Sequence, residues 1–357
     1  MSESGLITDS SQATTSWLTR LLTKSGALDG AEVSSVRMAD QRETGYHIIA
    51  WLDVDYSEPV TAPARLVLKY SQPTRHTRVP ETGREVLFYN EISRQMADGP
   101  AVRCFDAAYS SDRGLVHVLL DDLSGTHYEQ RPTHVPPTLV ECRGIVDALA
   151  RLHAFWWGKP PFELAGAQLV DAEEIERRVY ENSQRINAFA DMLGDRLSDK
   201  RRSIIRAVLE AMPRLFTRLE SPEGMSVVHS DVHIGNFLYP REESTHSVRI
   251  IDWQTWNVDL AVRDLAHMMA FFWFPEHRGQ HEQTLLRLYH ERLTAYGVRD
   301  YTWEMLFDDY RLSVTRLIFH PAWQWQNGEG VSKAWFHFER IMLAFEDLNC
   351  AELLGRA

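Results

Sequence analysis

The chain has 357 residues, enough to bury a sizeable core in one large or two modest domains. Its 44% hydrophobic and 25% charged residues are ordinary values for a globular protein. The formal net charge of -12 weighs against a nucleic-acid partner. An acidic cleft would suit a cationic substrate, although a net charge does not locate the charges.

The cysteines and the apolar segments indicate in which cellular compartment the protein is expected. Cys104, Cys142 and Cys350 are far apart in the sequence, odd in number and without metal-site spacing. Residues 1–16 are polar and lack the apolar core of a signal peptide. The densest apolar run, 268–274, is too short to span a bilayer. We therefore predict a reduced, cytoplasmic protein without a membrane-inserted segment, and the oligomeric state stays open.

The first third of the chain has mostly the alternation that is typical of strands. In chain order, the predicted elements are a disordered tail over 1–12, a short helix over 16–22, strands over 45–56 and 66–70, a helix over 80–96 that begins with a proline, and a strand over 115–120.

Beyond Gly125 the strand patterns fade and helical periodicity takes over. The predicted helices cover 138–157, 172–193, 202–218, 282–296, 303–318 and 334–354. This change predicts a boundary near residue 122, between a β-rich region over 1–121 and an α-helical region over 122–357. The predicted fold class is α+β.

Two apolar runs in the second half each end in a polar cluster. A hairpin is predicted between 237–239 and 249–251, because proline, charged and hydroxyl residues separate them. This pairing would bring Asn236 and Asp252 together, with Asp231 on the loop just before. Two carboxylates and an amide oxygen can hold a hard cation while one carboxylate stays free to take a proton.

The spacing of these residues resembles a known family. His229-x-Asp231-x4-Asn236, followed by a hairpin and Asp252, resembles the catalytic loop and the metal-binding Asp of protein-kinase-like enzymes. The resemblance implies a bilobal protein-kinase-like fold with a small β-rich N-lobe and a large, mostly helical C-lobe.

Two details point to the branch that phosphorylates small molecules. His233 within the loop, and Asp252-Trp253-Gln254 in place of Asp-Phe-Gly, resemble the aminoglycoside phosphotransferases, choline kinases and ecdysteroid-kinase-like proteins. Ser230 departs from that branch, which usually has glycine at this position.

Lys69 interrupts an apolar strand, and a lone strand lysine usually points to solvent. Glu85 lies on the apolar face of the following helix, where an unpaired charge would be costly, whereas Glu91 is expected in solvent. Glu85-x-x-Phe88-Tyr89 also resembles an ecdysteroid-kinase-like pattern. The resemblance implies that Lys69 pairs with Glu85 and positions the α- and β-phosphates of a nucleotide.

The strand over 115–120 leads into Asp121 and Leu123. Taken alone, these residues predict an ordinary strand end at which the side chains of Asp121 and Asp122 are exposed to solvent. The resemblance instead implies a hinge whose backbone groups bond adenine. The usual glycine-rich phosphate loop has only one candidate, over 41–45, with the single glycine Gly45.

Three residues are predicted to support the catalytic loop. His153, in a stretch that resembles the family's Leu-His-Ala-x-x-Trp helix end, is interpreted as a hydrogen-bonded structural residue because no second ligand lies at helical spacing. Asp264 belongs to an Arg-Asp-Leu-Ala match, which implies that it caps a helix or braces the loop. His229 is likewise predicted to brace the loop.

The resemblance implies transfer of the γ-phosphoryl group of ATP, or of GTP, to a hydroxyl of a small molecule. Asp231 would take the hydroxyl proton, and Asn236 and Asp252 would hold Mg²⁺. The acceptor stays open, with the many aromatic residues favouring a bulky, partly apolar alcohol over a polycationic aminoglycoside. One or two of four tryptophans are expected to line its pocket: Trp157, Trp273, Trp323 and Trp325.

Two other functions are compatible with parts of this pattern. His229-x-Asp231-x-His233 can belong to a two-metal phosphohydrolase site, but such a site needs further His and Asp clusters that the sequence lacks. A catalytically inactive kinase-like binding protein is the other alternative. Inactive relatives usually lack at least one essential polar residue, whereas all of those implied are present here.

Overall fold

The structure is a computed structural model. It describes residues 5–45, 47–71, 79–130, 135–159, 167, 169–242 and 246–355. They form two compact units, each described by itself below: the sheet unit, from Met1–Glu129 and Phe237–Trp256, and the helical unit, from Gln130–Asn236 and Asn257–Ala357. The predicted α+β class is confirmed. The predicted boundary near residue 122 lies close to the first of the three points where the chain passes between units.

The strands alternate buried and partly exposed positions where one face meets a core. Their bounds are β1 Val33–Glu43, β2 His47–Tyr56, β3 Arg65–Ser71, β4 Cys104–Ser110, β5 Leu115–Asp121, β6 His127–Glu129, β7 Met225–Val228, β8 Phe237–Pro240, β9 Arg249–Ile250 and β10 Asn257–Leu260.

The α-helices have the bounds α1 Thr15–Lys24, α2 Val79–Leu87, α3 Leu139–Phe155, α4 Ala172–Leu193, α5 Asp199–Phe216, α6 Arg263–Ala266, α7 Pro275–Ala295, α8 Trp303–Leu317, α9 His320–Gln326, α10 Val331–Asp347 and α11 Ala351–Leu354. A π-helical turn, Phe88–Ile92, continues α2, and another, His267–Phe271, continues α6. None of the helices among the described residues is both long and apolar enough to cross a bilayer.

An antiparallel sheet with the strand order β1-β2-β3-β5-β4 forms the sheet unit's centre. Leu66 and Leu68 of β3 are fully buried on the face that packs with α1. Because side chains alternate along a strand, Lys69 points to the opposite face. It lies between Ile49 of β2 and Val118 of β5 in the register. The middle strand thus presents one cation between two apolar residues of the neighbouring strands.

The predicted hairpin is confirmed within the sheet unit. β8 and β9 pair antiparallel, with Phe237 opposite Ile250 and Leu238 opposite Arg249. β6 adds to the other edge of β8 and completes a small second sheet.

The predicted disordered tail is wrong for residues 5–12, while residues 1–4 lie outside the described part. Ile7 is buried, and its backbone N–H donates to His117 Nδ1 over 3.0 Å. Asp9 and Gln12 then form a capping box around the turn Ser10–Gln12. One adjacent pair of apolar residues, Leu6 and Ile7, is too short to give a periodic signal in the sequence.

Capping residues define several helix starts in the helical unit. Thr138 and Glu141 form a capping box at the start of α3, and Asp171 accepts the N–H of Glu174 at the start of α4. α4 has the predicted bounds. α7 begins at Pro275, seven residues earlier than predicted, because proline is favoured in the first turn. The predicted helix over 334–354 is instead two helices, since Asn349 has a φ of 51° between them.

Candidate active site

Lys69, Glu85 and Asp252 form a cluster in the sheet unit, called here the Lys69 cluster. Lys69 Nζ lies 2.8 Å from Glu85 Oε2 and 2.8 Å from Asp252 Oδ1. The predicted pairing of Lys69 with Glu85 is therefore present. The lysine and glutamate side chains are 12% and 2% exposed, whereas Asp252 is 42% exposed. The cluster has one buried ion pair and one carboxylate open to solvent.

Burial and the neighbouring charges set the protonation of the Lys69 cluster. Burial works to lower the pKa of Lys69, but the charges of Asp252 and Glu85 outweigh it, and the pKa of the lysine is raised. Burial raises the pKa of Glu85, and Lys69 opposes that rise. Lys69 is thus a firmly protonated cation beside two carboxylates.

The segment after Asp252 is clamped to the glutamate-bearing helix. The rings of Phe88 and Trp253 stack at 3.7 Å with an interplanar angle of 8°. Trp256 Nε1 donates to the backbone oxygen of Arg84 over 2.7 Å. The tryptophan in Asp-Trp-Gln therefore fixes α2, and with it Glu85, against the turn that carries Asp252.

Asp252 has a left-handed backbone, with a φ of 64°, which is uncommon for a residue other than glycine. Its Oδ1 accepts bonds from Lys69 over 2.8 Å and from Gln254 Nε2 over 2.7 Å. The side chain of the third residue of Asp-Trp-Gln thus holds the carboxylate in place. This contact was not foreseen from the sequence.

The predicted hinge and phosphate loop also fall in the sheet unit. Asp121 ends β5, and burial raises the pKa of its carboxyl. The carbonyl of Leu123 accepts the N–H groups of Thr126 and His127, at 3.0 and 2.8 Å. This carbonyl is thus used within a turn, and adenine binding by the segment stays a prediction. Gly45 lies in the connection between β1 and β2, next to residue 46 outside the described part.

A buried aspartate organises the predicted catalytic loop in the helical unit. β7 is fully buried and pairs antiparallel with β10, with Val228 opposite Asn257. Directly after β7, the N–H groups of His229 and Ser230 donate to Asp264 over 2.7 and 2.9 Å. The sequence predicted that Asp264 caps a helix or braces the loop. The contacts observed are those to the loop.

His153 secures Asp264 from the other side. The His153 ring lies 3.3 Å from Asp264 Oδ2 through Nε2 and 2.7 Å from Tyr289 Oη through Nδ1, and all three residues are fully buried. Burial works to raise the pKa of Asp264, but the hydrogen bonds from His153 and His229 outweigh it and the pKa is lowered. The predicted structural function of His153 agrees with these contacts.

Asp231 and Asn236 are joined within the same loop. Asn236 Nδ2 donates to the backbone oxygen of Asp231 over 2.8 Å and to its Oδ2 over 3.2 Å. This orientation assigns Asn236 Oδ1 as the acceptor end of the amide. His233 Nε2 lies 3.6 Å from Asp231 Oδ2, and the aspartate side chain is 38% exposed. Asp231 therefore has a fixed position and a reachable carboxylate.

Ser230, the departure from the family pattern, occupies a strained position. Its φ of 69° is one that glycine adopts readily, and Asn257 and Arg263 donate to its Oγ over 2.8 and 2.7 Å. Two side-chain donors thus hold a serine in a conformation that glycine would adopt unaided. Arg263 was quoted in the motif but not predicted to contact the loop.

The four candidate pocket tryptophans are in different surroundings. Trp323 lines a cavity of the helical unit. Trp273 is buried, with its ring 4.6 Å from that of His277. Trp157 packs edge-on against Tyr301, and Trp325 packs at a tilt against Phe189. Acceptor binding by any of them stays a prediction.

Among the described residues, no group of three or more His, Cys, Asp or Glu side chains could hold a metal ion. Asn236 and Asp252, the predicted Mg²⁺ ligands, lie in different units. Both offer hard oxygen donors, the amide oxygen and the carboxylate, of the type that Mg²⁺ prefers, so the donor chemistry fits the ion.

Comparisons with known proteins identify relatives of the chain. The model of the ecdysteroid kinase-like family matches residues 81–298. A search of curated protein sequences found no significant match.

Similar solved structures cover nearly the whole chain. Choline kinase from Cryptosporidium parvum Iowa II has a TM-score of 0.59 at 12% identity, with 97% of this chain and 98% of that chain covered. A microcompartment-associated aminopropanol kinase has a TM-score of 0.54 at 15% identity, with 98% and 99% covered. The GDP and kanamycin complex of APH(2")-IIia has a TM-score of 0.50 at 12% identity, with 94% and 99% covered. These likenesses confirm the predicted protein-kinase-like fold.

Proposed function

The chain belongs to the ecdysteroid kinase-like family, and from this premise we propose that it is an ATP-dependent phosphotransferase acting on a hydroxyl of a small molecule. The observation that carries the proposal is the Lys69 cluster, a buried lysine–glutamate pair beside an open carboxylate. In the helical unit, a braced loop presents Asp231 and Asn236. A buried ion pair is costly to form and destabilising to break, so the pair holds Lys69 in a fixed position.

Lys69 has the charge and the rigidity to position the nucleotide. Its ammonium is held by Glu85 at one side, and Asp252 competes for the same cation from the solvent side. Anionic α- and β-phosphates would add a further favourable interaction with Lys69. A positioned cation lowers the barrier by alignment and by neutralising charge, which a loose transition state needs most.

Asp231 is proposed to accept the proton of the acceptor hydroxyl. As the acceptor oxygen forms its bond to the γ-phosphorus, the bond from that phosphorus to the β–γ bridging oxygen breaks and ADP leaves. Asn236 donates to Asp231 Oδ2 and so orients the carboxylate. Exposure of the Asp231 side chain leaves room for a hydroxyl to approach.

Asn236 and Asp252 are proposed to hold Mg²⁺. The bound ion would supply charge neutralisation at the phosphate oxygens. Asn236 would contribute Oδ1, because its Nδ2 already donates to Asp231. Gln254 and Lys69 both bond to Oδ1 of Asp252 and so fix the carboxylate for its ligand.

A cytoplasmic location is proposed from the state of the cysteines. Cys104, Cys142 and Cys350 are free thiols. Burial raises the pKa of both Cys142 and Cys350 to about 12, so neither is a reactive thiolate. Unpaired thiols fit a reducing compartment.

The proposal is tested by a Mg²⁺-dependent screen with ATP and, separately, GTP against hydroxylated metabolites and antibiotics. We expect ATP consumption with at least one acceptor, and a loss of about 10²–10⁴-fold in kcat/KM in Asp231→Asn. ATP-dependent thermal stabilisation without transfer to any acceptor would instead favour the inactive binding protein. Full activity in Asp231→Asn would refute the assignment of the base.

A further inference from the structure

A cavity of about 270 Å³ lies within the helical unit. This volume is near the lower end of the range for small-molecule sites, about 300–1,000 Å³. Four arginines line it: Arg178 and Arg185 of α4, Arg263 of α6 and Arg316 of α8. A protein with a net charge of -12 thus gathers four guanidinium groups around one small space.

Two of these arginines share one carboxylate. Arg316 donates to both oxygens of Asp259, over 2.6 and 2.8 Å, and Arg263 Nε lies 3.2 Å from Asp259 Oδ2. Burial lowers the pKa of Arg263, and repulsion from Arg316 adds to the effect. The two cations are therefore held close together by Asp259, and the charge of Asp264 also opposes the lowering of the Arg263 pKa.

The arginines of α4 are in a similar position. Arg178 Nε donates to Glu174 over 2.7 Å, and Arg185 donates to Glu181 over 2.8 Å. Both glutamates also bind Arg177, which is more exposed and does not line the cavity. Five arginines thus share Glu174, Glu181 and Asp259, with Asp264 also near Arg263, so the arginines of this region outnumber its carboxylates.

One residue of the cavity wall contacts the residue before Asp231, and another lies near a ring that bonds the residue after it. Arg263 donates to Ser230 Oγ over 2.7 Å. On the other side, the N–H of Val232 donates to His267 Nδ1 over 3.1 Å, and the His267 ring lies 6.0 Å from that of His320, which lines the cavity. Arg263 thus links the cavity to Ser230, the residue before the proposed base.

Apart from the arginines, the lining includes neutral rings. Burial lowers the pKa of His320 to about 4, and Arg263 adds to the effect, so this ring is uncharged near neutral pH. Its ring centroid lies 5.4 Å from that of Trp323, which also lines the cavity. The cavity therefore combines cationic groups with an aromatic wall.

We propose that the acceptor is a small hydroxylated molecule with an anionic group, such as a carboxylate or a sulfate, bound in this cavity. Guanidinium groups bind such anions through paired hydrogen bonds, and Trp323 would pack against the apolar part of the molecule. The inference rests on the proposed phosphotransferase function and names its substrate class. Choline, aminopropanol and kanamycin, which appear in the names of similar structures, are cations that the arginines would repel.

The first experiment measures anion binding without turnover. Sodium sulfate at constant ionic strength is titrated against the wild type, the double variant Arg178→Gln/Arg185→Gln, and Arg177→Gln as the matched control on the same helix. We expect sulfate to raise the melting temperature of the wild type and of the control, and the double variant to lose most of that shift. An equal shift in all three proteins, or none in the wild type, would overturn the inference.

The second experiment compares hydroxylated acceptors as anionic, neutral and cationic members of matched series. We expect transfer to anionic members, with KM raised about tenfold or more in the double variant and little changed in Arg177→Gln. Preferred transfer to cationic members would overturn the inference while leaving the phosphotransferase function intact. Sulfate binding that depends on the two arginines, with no transfer to any series, would instead count against the proposed function.

Discussion

The Lys69 cluster and the loop around Asp231 hold their exposed carboxylates through different sets of contacts. Asp252 is held through its own side chain, by Lys69 and Gln254. Asp231 lies on a loop whose main chain is held by the buried Asp264. The two regions should therefore respond to different substitutions. The Lys69 cluster depends on a balance of charges, whereas the main chain of the loop around Asp231 depends on one buried hydrogen-bond acceptor, Asp264.

Removing the cation tests the charge balance of the Lys69 cluster most severely. Lys69→Met leaves Glu85 buried without its partner, and we expect it to lower the free energy of unfolding by about 3–5 kcal/mol. Glu85→Gln keeps the bond between Lys69 and Asp252 and should cost clearly less. Urea denaturation of both variants makes the comparison. Equal stability of Lys69→Met and the wild type would show that the pair is not the element that holds the cluster.

The buried acceptor of the helical unit is tested by Asp264→Asn. The variant loses charged hydrogen bonds to the N–H groups of His229 and Ser230, each worth about 1.5 kcal/mol or more, so we expect a loss of about 3 kcal/mol. Chemical denaturation measures it, with Asp308→Asn, a 40% exposed position, as the control. A loss no larger than that of the control would contradict the bracing function.

Acid should destabilise the protein through buried neutral histidines in both regions. Burial lowers the folded-state pKa of His47 to about 4 and of His337 to about 3. In the unfolded chain, histidine has a pKa of about 6.5. The contribution of the neutral histidines to the free energy of unfolding is therefore fully present above that pH, and it is lost as the pH falls towards the folded-state pKa values. Melting temperatures at pH 7.5 and pH 5 measure the effect. His47→Gln should flatten the slope, and an unchanged slope would contradict the contribution of this histidine.

Ser230 offers the smallest expected effect. Ser230→Gly relieves the positive φ but loses the bonds from Asn257 and Arg263, so stability should change by no more than about 1 kcal/mol. Ser230→Ala keeps the strain and loses the same bonds, and should be the less stable of the two. Comparing the melting temperatures of the two variants separates the cost of the positive φ from the contribution of the two hydrogen bonds. A more stable alanine variant would show that strain does not matter here.

The features that could be predicted depend on residues near one another in the sequence or on a resemblance. The hairpin of β8 and β9 followed from local pattern, and the pairing of Lys69 with Glu85 from family spacing. β1 was missed because most of its side chains are exposed, which leaves no alternation of apolar residues.

The arginine-lined cavity could not be foreseen for another reason. Its cationic residues come from α4, α6 and α8, which the fold alone brings together. The net charge of -12 gave no sign of a cationic cluster. A total charge carries no information on how charges of opposite sign are separated within the molecule.

The most direct test of the phosphotransferase function is to identify the product. The wild type and Asp231→Asn are incubated with MgATP and the best acceptor, and the acceptor is analysed by mass spectrometry. We expect an acceptor heavier by one phosphoryl group with the wild type, formed in step with ADP, and almost none with the variant. Phosphorylated acceptor formed equally by both proteins, or ADP formed without it, would contradict the account.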